Sequence, residues 1–488
     1  MDSLTLRRAR VIGDGRLVDV AIVEGRVAAV GRALESAMGA DELDLDGRWL
    51  MPGLWDAHVH FTQWARQAGR IDVSAARSAA EAVALLAAHG PRGDLVIGRG
   101  FHDALWPDAP TAAALDGAFP GVAVVVVSHD LHSVWLNSLA AAKFGSPHAG
   151  LVREDAAFAM QIALDSTASA PEDSELVRAA ARAAAARGIV GIRDLEMADN
   201  VASWTARAGH APALFRVEAC IYPEHLAASD SRGFAGGATV PGTDGLVTVG
   251  ALKVFADGSL NTRTALTHEP YGGHGTEPGV GHAAHTPAEL RELLSAAKGR
   301  GLEVALHAIG DLAVTRALDA FEATGALGTI EHAQLVAADD LARFAQLRIA
   351  ASVQPQHALD DRDVADAVWP DRSERAFAYR SLADAGARLL LGSDAPVAPL
   401  DPWITFAAAV HRSDDERASW HGEQELSRGA ALSASTRGAL AGHWVAPGML
   451  GDLIAVEADP LTAAHEALRT MPVSLTVVGG RVTYSTLG

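Results

Sequence analysis

Between residues 54 and 394 the chain repeats one pattern eight times: a short apolar run, closed in all but one case by a polar or charged residue and followed in several by a helix-forming stretch. The runs fall at 54–60, 189–194, 214–221, 249–257, 303–307, 329–332, 348–354 and 388–394. Runs of this length with little polar alternation read as strands buried on both faces. Buried strands alternating with helices imply a parallel sheet, and eight such units are the number that closes a (β/α)8 TIM barrel. The helix at 286–301 carries its own start signal, because Thr286 with Glu289 three residues on has capping-box spacing.

Two connections are too long for a plain barrel. One separates the first two strands. It holds an apolar run of its own, Val122 to Val127, and is read as an insertion at about 62–170 after strand one. The other, 258–285, is rich in Gly, Thr and His and follows a strand end, where the active-site loops of a barrel sit. Outside the repeat, IVEGRVAAV and TVVGGRVTY share a V-x-G-R-V core and read as hairpins near opposite chain ends. The expected organisation is therefore a small composite β-sandwich from residues 1–52 and 446–488 around a barrel at 53–445.

Composition narrows the function. The 488 residues carry a net charge of −20, which argues against nucleic acid and anionic membrane surfaces as partners. The longest apolar run is far short of a membrane span, and the amino-terminal residues lack a signal-peptide pattern, so a cytoplasmic protein is expected. One cysteine, Cys220, excludes an intrachain disulfide and a thiolate-rich metal site. Any metal would have to be held by carboxylates and some of the 20 histidines.

The strand ends supply such a set. Strand one ends His58-Val59-His60, and residues two apart on a strand face the same side. Strands five, six and eight end at His307, His332 and Asp394. His58, His60 and Asp394 around one ion would leave room for a reactive water, and His307 with His332 could hold a second. Strand four carries Lys253, one of only three lysines in an arginine-rich chain. A buried ammonium is costly, so burial favours the neutral amine, which can add carbon dioxide to give a carbamate.

These motifs resemble the amidohydrolase superfamily of metal-dependent hydrolases, in the branch of YtcJ-like proteins and N-substituted formamide deformylases (the amidohydrolase 3 type). The matching stretches are MPGLWDAHVH (51–60), LKVFADGSL (252–260), HAIGD (307–311), IEHA (330–333), QPQH (354–357) and GSDAP (392–396). In the insertion, GFHD (100–103), LDGAFP (115–120) and HDLHSVWLNS (129–138) also match, with Phe101 where Trp is usual and Leu131 where Gly is usual. The resemblance implies a carboxylated Lys253 bridging two divalent ions. Zinc is expected, with manganese, iron or nickel as alternatives and one or two ions per subunit. It further implies that Asp394 acts as general base and then acid in hydrolysing a small-molecule C–N bond.

Asp257, Arg263, His132, Trp135, Phe101 and His357 are the expected substrate contacts. His274, His282 and His285 lie near the expected mouth without a ligand role. A homo-oligomer is compatible with the resemblance. Two other functions are weighed. A heterocycle deaminase of this superfamily would carry Glu just after the strand-five histidine, where this chain has Ala308, Ile309, Gly310 and Asp311. A non-catalytic binding or assembly relative would have lost ligands, and here all six positions are filled.

Overall fold

A computed structural model describes residues 3–35, 39–90, 93–165, 170–272, 279–437 and 444–487. His274 lies outside the described residues. The eight barrel strands are Leu54–Val59, Ile189–Asp194, Arg216–Ile221, Val247–Phe255, Val304–Ala308, Gly328–His332, Ala350–Val353 and Leu389–Leu391. They pair in chain order, every neighbour parallel. The eighth strand meets the first through a single parallel bridge between Val59 and Ala395, which nearly closes the sheet. Each expected run overlaps one of these strands, because two-sided burial leaves the same apolar signature in every one.

The capping box at Thr286 and Glu289 forms as its spacing predicts and starts the helix Pro287–Gly299. The largest core cluster joins the barrel to its surrounding helices, through residues such as Leu252, Leu306 and Ile330 from the strands and Leu294 and Phe321 from the helices.

The two chain ends share one eight-stranded sheet. Trp49–Pro52 pairs antiparallel with Leu453–Val456, and the hairpins carrying the V-x-G-R-V cores lie toward opposite edges of that sheet. The sheet curls until the hairpin turns meet. Gly25, at φ +74°, packs against the backbone of Gly479, and Gly451 N–H donates to the Gly25 carbonyl. A Cβ at that φ would add backbone strain. The curled sheet encloses its own core, which includes Leu6, Val20, Leu453 and Leu475.

The connection after strand one contains a five-stranded sheet. It runs in the order Gly150–Arg153, Ser133–Leu136, Ala123–Ser128, Leu95–Phe101, Ile71–Asp72. The Val122–Val127 run supplies its central strand, buried along its whole length. No helix among the described residues is long and apolar enough to cross a membrane.

Candidate metal centre

The contacts that close the barrel also assemble the site. Asp56 and His58 alternate onto the inner face of strand one. Asp56 Oδ1 accepts the backbone N–H of His58 at 3.1 Å and of Ser393 at 2.9 Å. The next residue, Asp394, donates its N–H to the His58 carbonyl at 2.7 Å, and His60 donates its own to the Ala395 carbonyl at 2.7 Å. His58, His60 and Asp394 are thereby fixed to one another through main chain. Asp394 has φ +57° and His332 has φ +73°, conformations rare outside glycine. Both residues end their runs there, and the turn aims each side chain back over the barrel axis.

The donor atoms converge. Asp394 Oδ1 lies 3.4 Å from His58 Nε2 and 3.4 Å from His60 Nε2. His58, His332 and Asp394 each present one ligand-type atom, all within 4.8 Å of one another. The His307 and His332 rings are 4.6 Å apart. His307 Nε2–H donates to the Gly258 carbonyl at 3.0 Å, which leaves Nδ1 as its acceptor nitrogen in the neutral ring. Lys253 is 1% exposed, and its Nζ sits 3.5 Å from His58 Nε2. It makes no ion pair with Asp257, whose carboxylate accepts the backbone N–H groups of Leu266, Ile309 and Gly310.

Whether these residues fit a cation follows from three observations. First, Asp394 Oδ1 and His332 Nδ1 are buried without any hydrogen-bond partner; such atoms are rare in native interiors and mark an unmet interaction. Second, the 3.4 Å separations equal the edge of a tetrahedron with metal–ligand bonds of about 2.0–2.1 Å, roughly 3.3–3.4 Å. Third, the imidazoles of His58, His307 and His332 are held neutral. Burial, then the Lys253 charge, pushes His58 down to about 4, and burial first holds His307 and His332 well below the usual histidine range. Burial alone would raise Asp394, but the neighbouring His58, the hydrogen bond from His357 and the nearby His60 hold it well below the carboxylate range. Neutral imidazoles around an ionised carboxylate are the donor set a divalent ion requires.

Glu331, inside the IEHA motif, was not singled out from sequence. Its Oε2 accepts from His58 Nδ1 at 2.7 Å, and its side chain has no exposure. This bond fixes the tautomer that turns the bare His58 Nε2 toward Asp394. Strand alternation would put Glu331 and His332 on opposite faces; the positive φ at His332 is what lets both serve one centre.

A cleft above this cluster is lined by all six expected ligands and by His132 and His357. His357 Nε2 lies 3.2 Å from Asp394 Oδ2. His132 Nδ1 donates to Glu154 at 2.8 Å, and Glu154 accepts from Thr262 and Thr264, so insertion and long loop are tied together over the site. His285 Nδ1 instead donates to the Phe255 carbonyl at 2.9 Å.

Four of the expected substrate contacts are corrected. Phe101 and Trp135 are fully buried in the core of the insertion, rings 6.3 Å apart, with Trp135 Nε1 donating to the Thr111 carbonyl at 2.9 Å. The insertion sheet has a core of its own, and that core claims them. Asp257 spends its carboxylate on backbone N–H groups, Leu266 of the long loop and Ile309 and Gly310 after strand five, which ties the loop to the strand end, and burial pushes it up to about 7. Arg263, at φ +58° in that loop, does not line the cleft.

Known proteins agree with this architecture. Residues 41–484 match the model of the amidohydrolase family. YtcJ of Bacillus subtilis is 28% identical, over 91% of this chain and 90% of that protein. The N-substituted formamide deformylase of Arthrobacter pascens is 25% identical, over 96% of this chain and 95% of that protein. A crystal structure of an uncharacterized metal-dependent hydrolase from Pyrococcus horikoshii superposes with a TM-score of 0.77, at 24% identity over 95% of this chain and 99% of that one. A family match spanning nearly the whole chain, over a barrel whose closure brings His58, His332 and Asp394 together, places the protein in the amidohydrolase family of metal-dependent hydrolases.

Proposed function

We propose that this protein hydrolyses a C–N bond in an amide, N-formyl compound, carbamate or related small molecule. The observation that carries the reading is Asp394. Its Oδ1 is buried and unpartnered between two imidazole nitrogens, while its Oδ2 is held by His357. In this reading His58, His60, His307, His332 and Asp394 hold one or two divalent ions, zinc first among the candidates. Lys253, whose pKa burial lowers, would help hold them as a carbamate formed with carbon dioxide. A divalent ion at such a site polarises a carbonyl oxygen and lowers the pKa of a water toward about 7.

The protein's own groups do the rest. Asp394 accepts the proton of the attacking water as oxygen adds to the carbonyl carbon, then returns it to the nitrogen as the C–N bond breaks. His357 fixes the carboxylate plane for both transfers. His132, held by Glu154, presents its other ring nitrogen to the cleft, where it can meet the substrate carbonyl. Removing the proton carrier should cost about 10²–10⁴ in turnover. The test is Asp394→Asn, assayed on metal-replete protein against N-formyl, N-acyl, carbamate and cyclic imide compounds. Loss of turnover with most of the metal retained supports the reading. Wild-type turnover in the variant, or ammonia release from purines or pyrimidines in place of any of these activities, contradicts it.

A further inference from the structure

The chain that follows His357 brings two adjacent carboxylates, Asp360 and Asp361, to the wall of the cleft. His357–Asp360 is a single helical turn, and the Asp361 N–H donates to the His357 carbonyl at 2.9 Å. Asp361 therefore stands one turn, about 5–6 Å of rise, from the histidine that holds Asp394.

Neither carboxylate has a strong cation of its own. Among the described residues no Arg or Lys forms an ion pair with either one. Asp360 has only His129 at 3.6 Å, and Arg362 beside them turns to Asp363 and Asp415. Their closest donors are neutral amides: Asn261 Nδ2 to Asp361 Oδ1 at 2.9 Å, and Gln356 Nε2 to Asp360 Oδ1 at 2.9 Å. Burial first, then the Asp360 charge, pushes Asp361 up to about 6. Buried charge left without a counter-ion is costly. Asp130, the third aspartate of the cleft apart from Asp394, is different. Its Oδ1 accepts from Ser128 and from the His132 N–H, and its Oδ2 from Ser259, so both oxygens are spent inside the protein.

Two amide oxygens in the same cleft are also unmet. Gln334 is 4% exposed, and its Oε1 has no hydrogen-bond partner. Asn261 Oδ1 is buried and equally unpartnered. Asp361 fixes the orientation of that amide, because turning it over would set its oxygen against a carboxylate. The two phenylalanines of the cleft lie elsewhere, Phe158 against His132 and Phe255 against His307. The free groups on this wall are therefore acceptors that call for N–H donors and positive charge, rather than an aromatic cage.

We propose that Asp360 and Asp361, with Asn261 and Gln334 as further acceptors, bind a primary ammonium group carried by the substrate a short arm away from the bond that is cut. The inference rests on the C–N hydrolase reading for the bond. A primary ammonium brings one charge and three donors, as a lysine side chain does.

The test sets ammonium arms against methyl arms of the same length on metal-replete protein at neutral pH. N-acetylputrescine is compared with N-pentylacetamide, which places the arm on the nitrogen side. δ-Aminovaleramide is compared with hexanamide, which places it on the acyl side. The methanesulfonamides of putrescine and pentylamine serve in calorimetry as probes that are not turned over. A hydrogen-bonded charge should favour the ammonium member of one pair about 10–100-fold in kcat/KM, and the ammonium sulfonamide by a similar factor in affinity. Asp361→Asn should cut that ratio about tenfold or more, and Gln334→Met about threefold or more, with the methyl compounds little changed. Trimethylating the ammonium keeps the charge and removes the donors, and should cost about threefold or more.

Amide turnover without an ammonium preference, a preference that both variants keep, or a trimethylated arm equal to the ammonium overturns the cation site and leaves the C–N reading standing. Ammonium-selective sulfonamide binding that Asp361→Asn abolishes, with no amide turned over, keeps the cation site and overturns the C–N reading. Unselective binding with no turnover overturns both.

Discussion

Replacing Glu331 probes whether the candidate ligands are held in position by the barrel or merely lie near one another. Glu331 has no exposure; its Oε2 accepts from His58 Nδ1 and its Oε1 from the Thr329 hydroxyl, with Arg193 at 4.0 Å as a distant counter-charge. Burial would raise its pKa, yet the His58 hydrogen bond and the charges around it hold it down at about 2, so the carboxylate is the form that bonds. A hydrogen bond to a charged group contributes about 1.5–3 kcal/mol. Losing that amount from ligand orientation corresponds to roughly 10–100-fold weaker metal binding, the usual range for a partner that orients a metal-bound imidazole.

Glu331→Gln keeps an acceptor of the same shape without the charge and should fall near the lower figure. Glu331→Ala should reach the upper one and also lose stability, because it leaves buried Arg193 less compensated. The assay is chelator competition for zinc, run beside thermal unfolding so that lost affinity is separated from lost fold. Zinc affinity within threefold of wild type in both variants, with the fold intact, would refute the positioning argument.

Other expectations follow from separate parts of the molecule. Lys253→Ala should lower metal content, with partial recovery on adding short carboxylates; unchanged metal content removes the bridging role. Burial pushes the Cys220 thiol from 9.0 up to about 12, so native protein should resist a thiol reagent at pH 8 and react only when unfolded. By the same shift, the thiol's contribution to stability is complete below about pH 9 and declines as pH rises toward 12. Rapid native labelling at pH 8 would contradict this. A Cβ at Gly328 would overlap the Val304 carbonyl oxygen at the start of the strand that ends in His332. Gly328→Ala should therefore cost several kcal/mol, about 2–4, as other backbone clashes do; a melting temperature within a degree of wild type would contradict it.

The barrel was legible because two-sided burial writes the same short apolar run into every strand, and most of the candidate ligands because they stand at or near the ends of such runs; Lys253, inside strand four, stands out as one of three lysines. His58 and His60 as a pair follow from alternation alone. Glu331 does not, since alternation sends neighbours to opposite faces and only the left-handed turn at His332 reconciles them. Phe101 and Trp135 were misplaced for a related reason. Sequence shows that a residue is buried but not which of two cores buries it, and the insertion has its own. Glu154 carries no motif; it reaches the site through His132, 22 residues earlier, and through Thr262 and Thr264, more than 100 residues later. A cavity beside the candidate site joins Trp64, Arg99, Ala183 and Pro399, whose proximity is set by packing rather than by any local pattern.

The central claim is that barrel closure creates a divalent-metal site at His58, His60 and Asp394. Anomalous diffraction recorded above and below the zinc edge, from crystals of zinc-loaded protein, tests it most directly. The account predicts a peak about 2.0–2.2 Å from His58 Nε2, His60 Nε2 and Asp394 Oδ1. Crystals that hold zinc elsewhere and show no peak among these three atoms would contradict it.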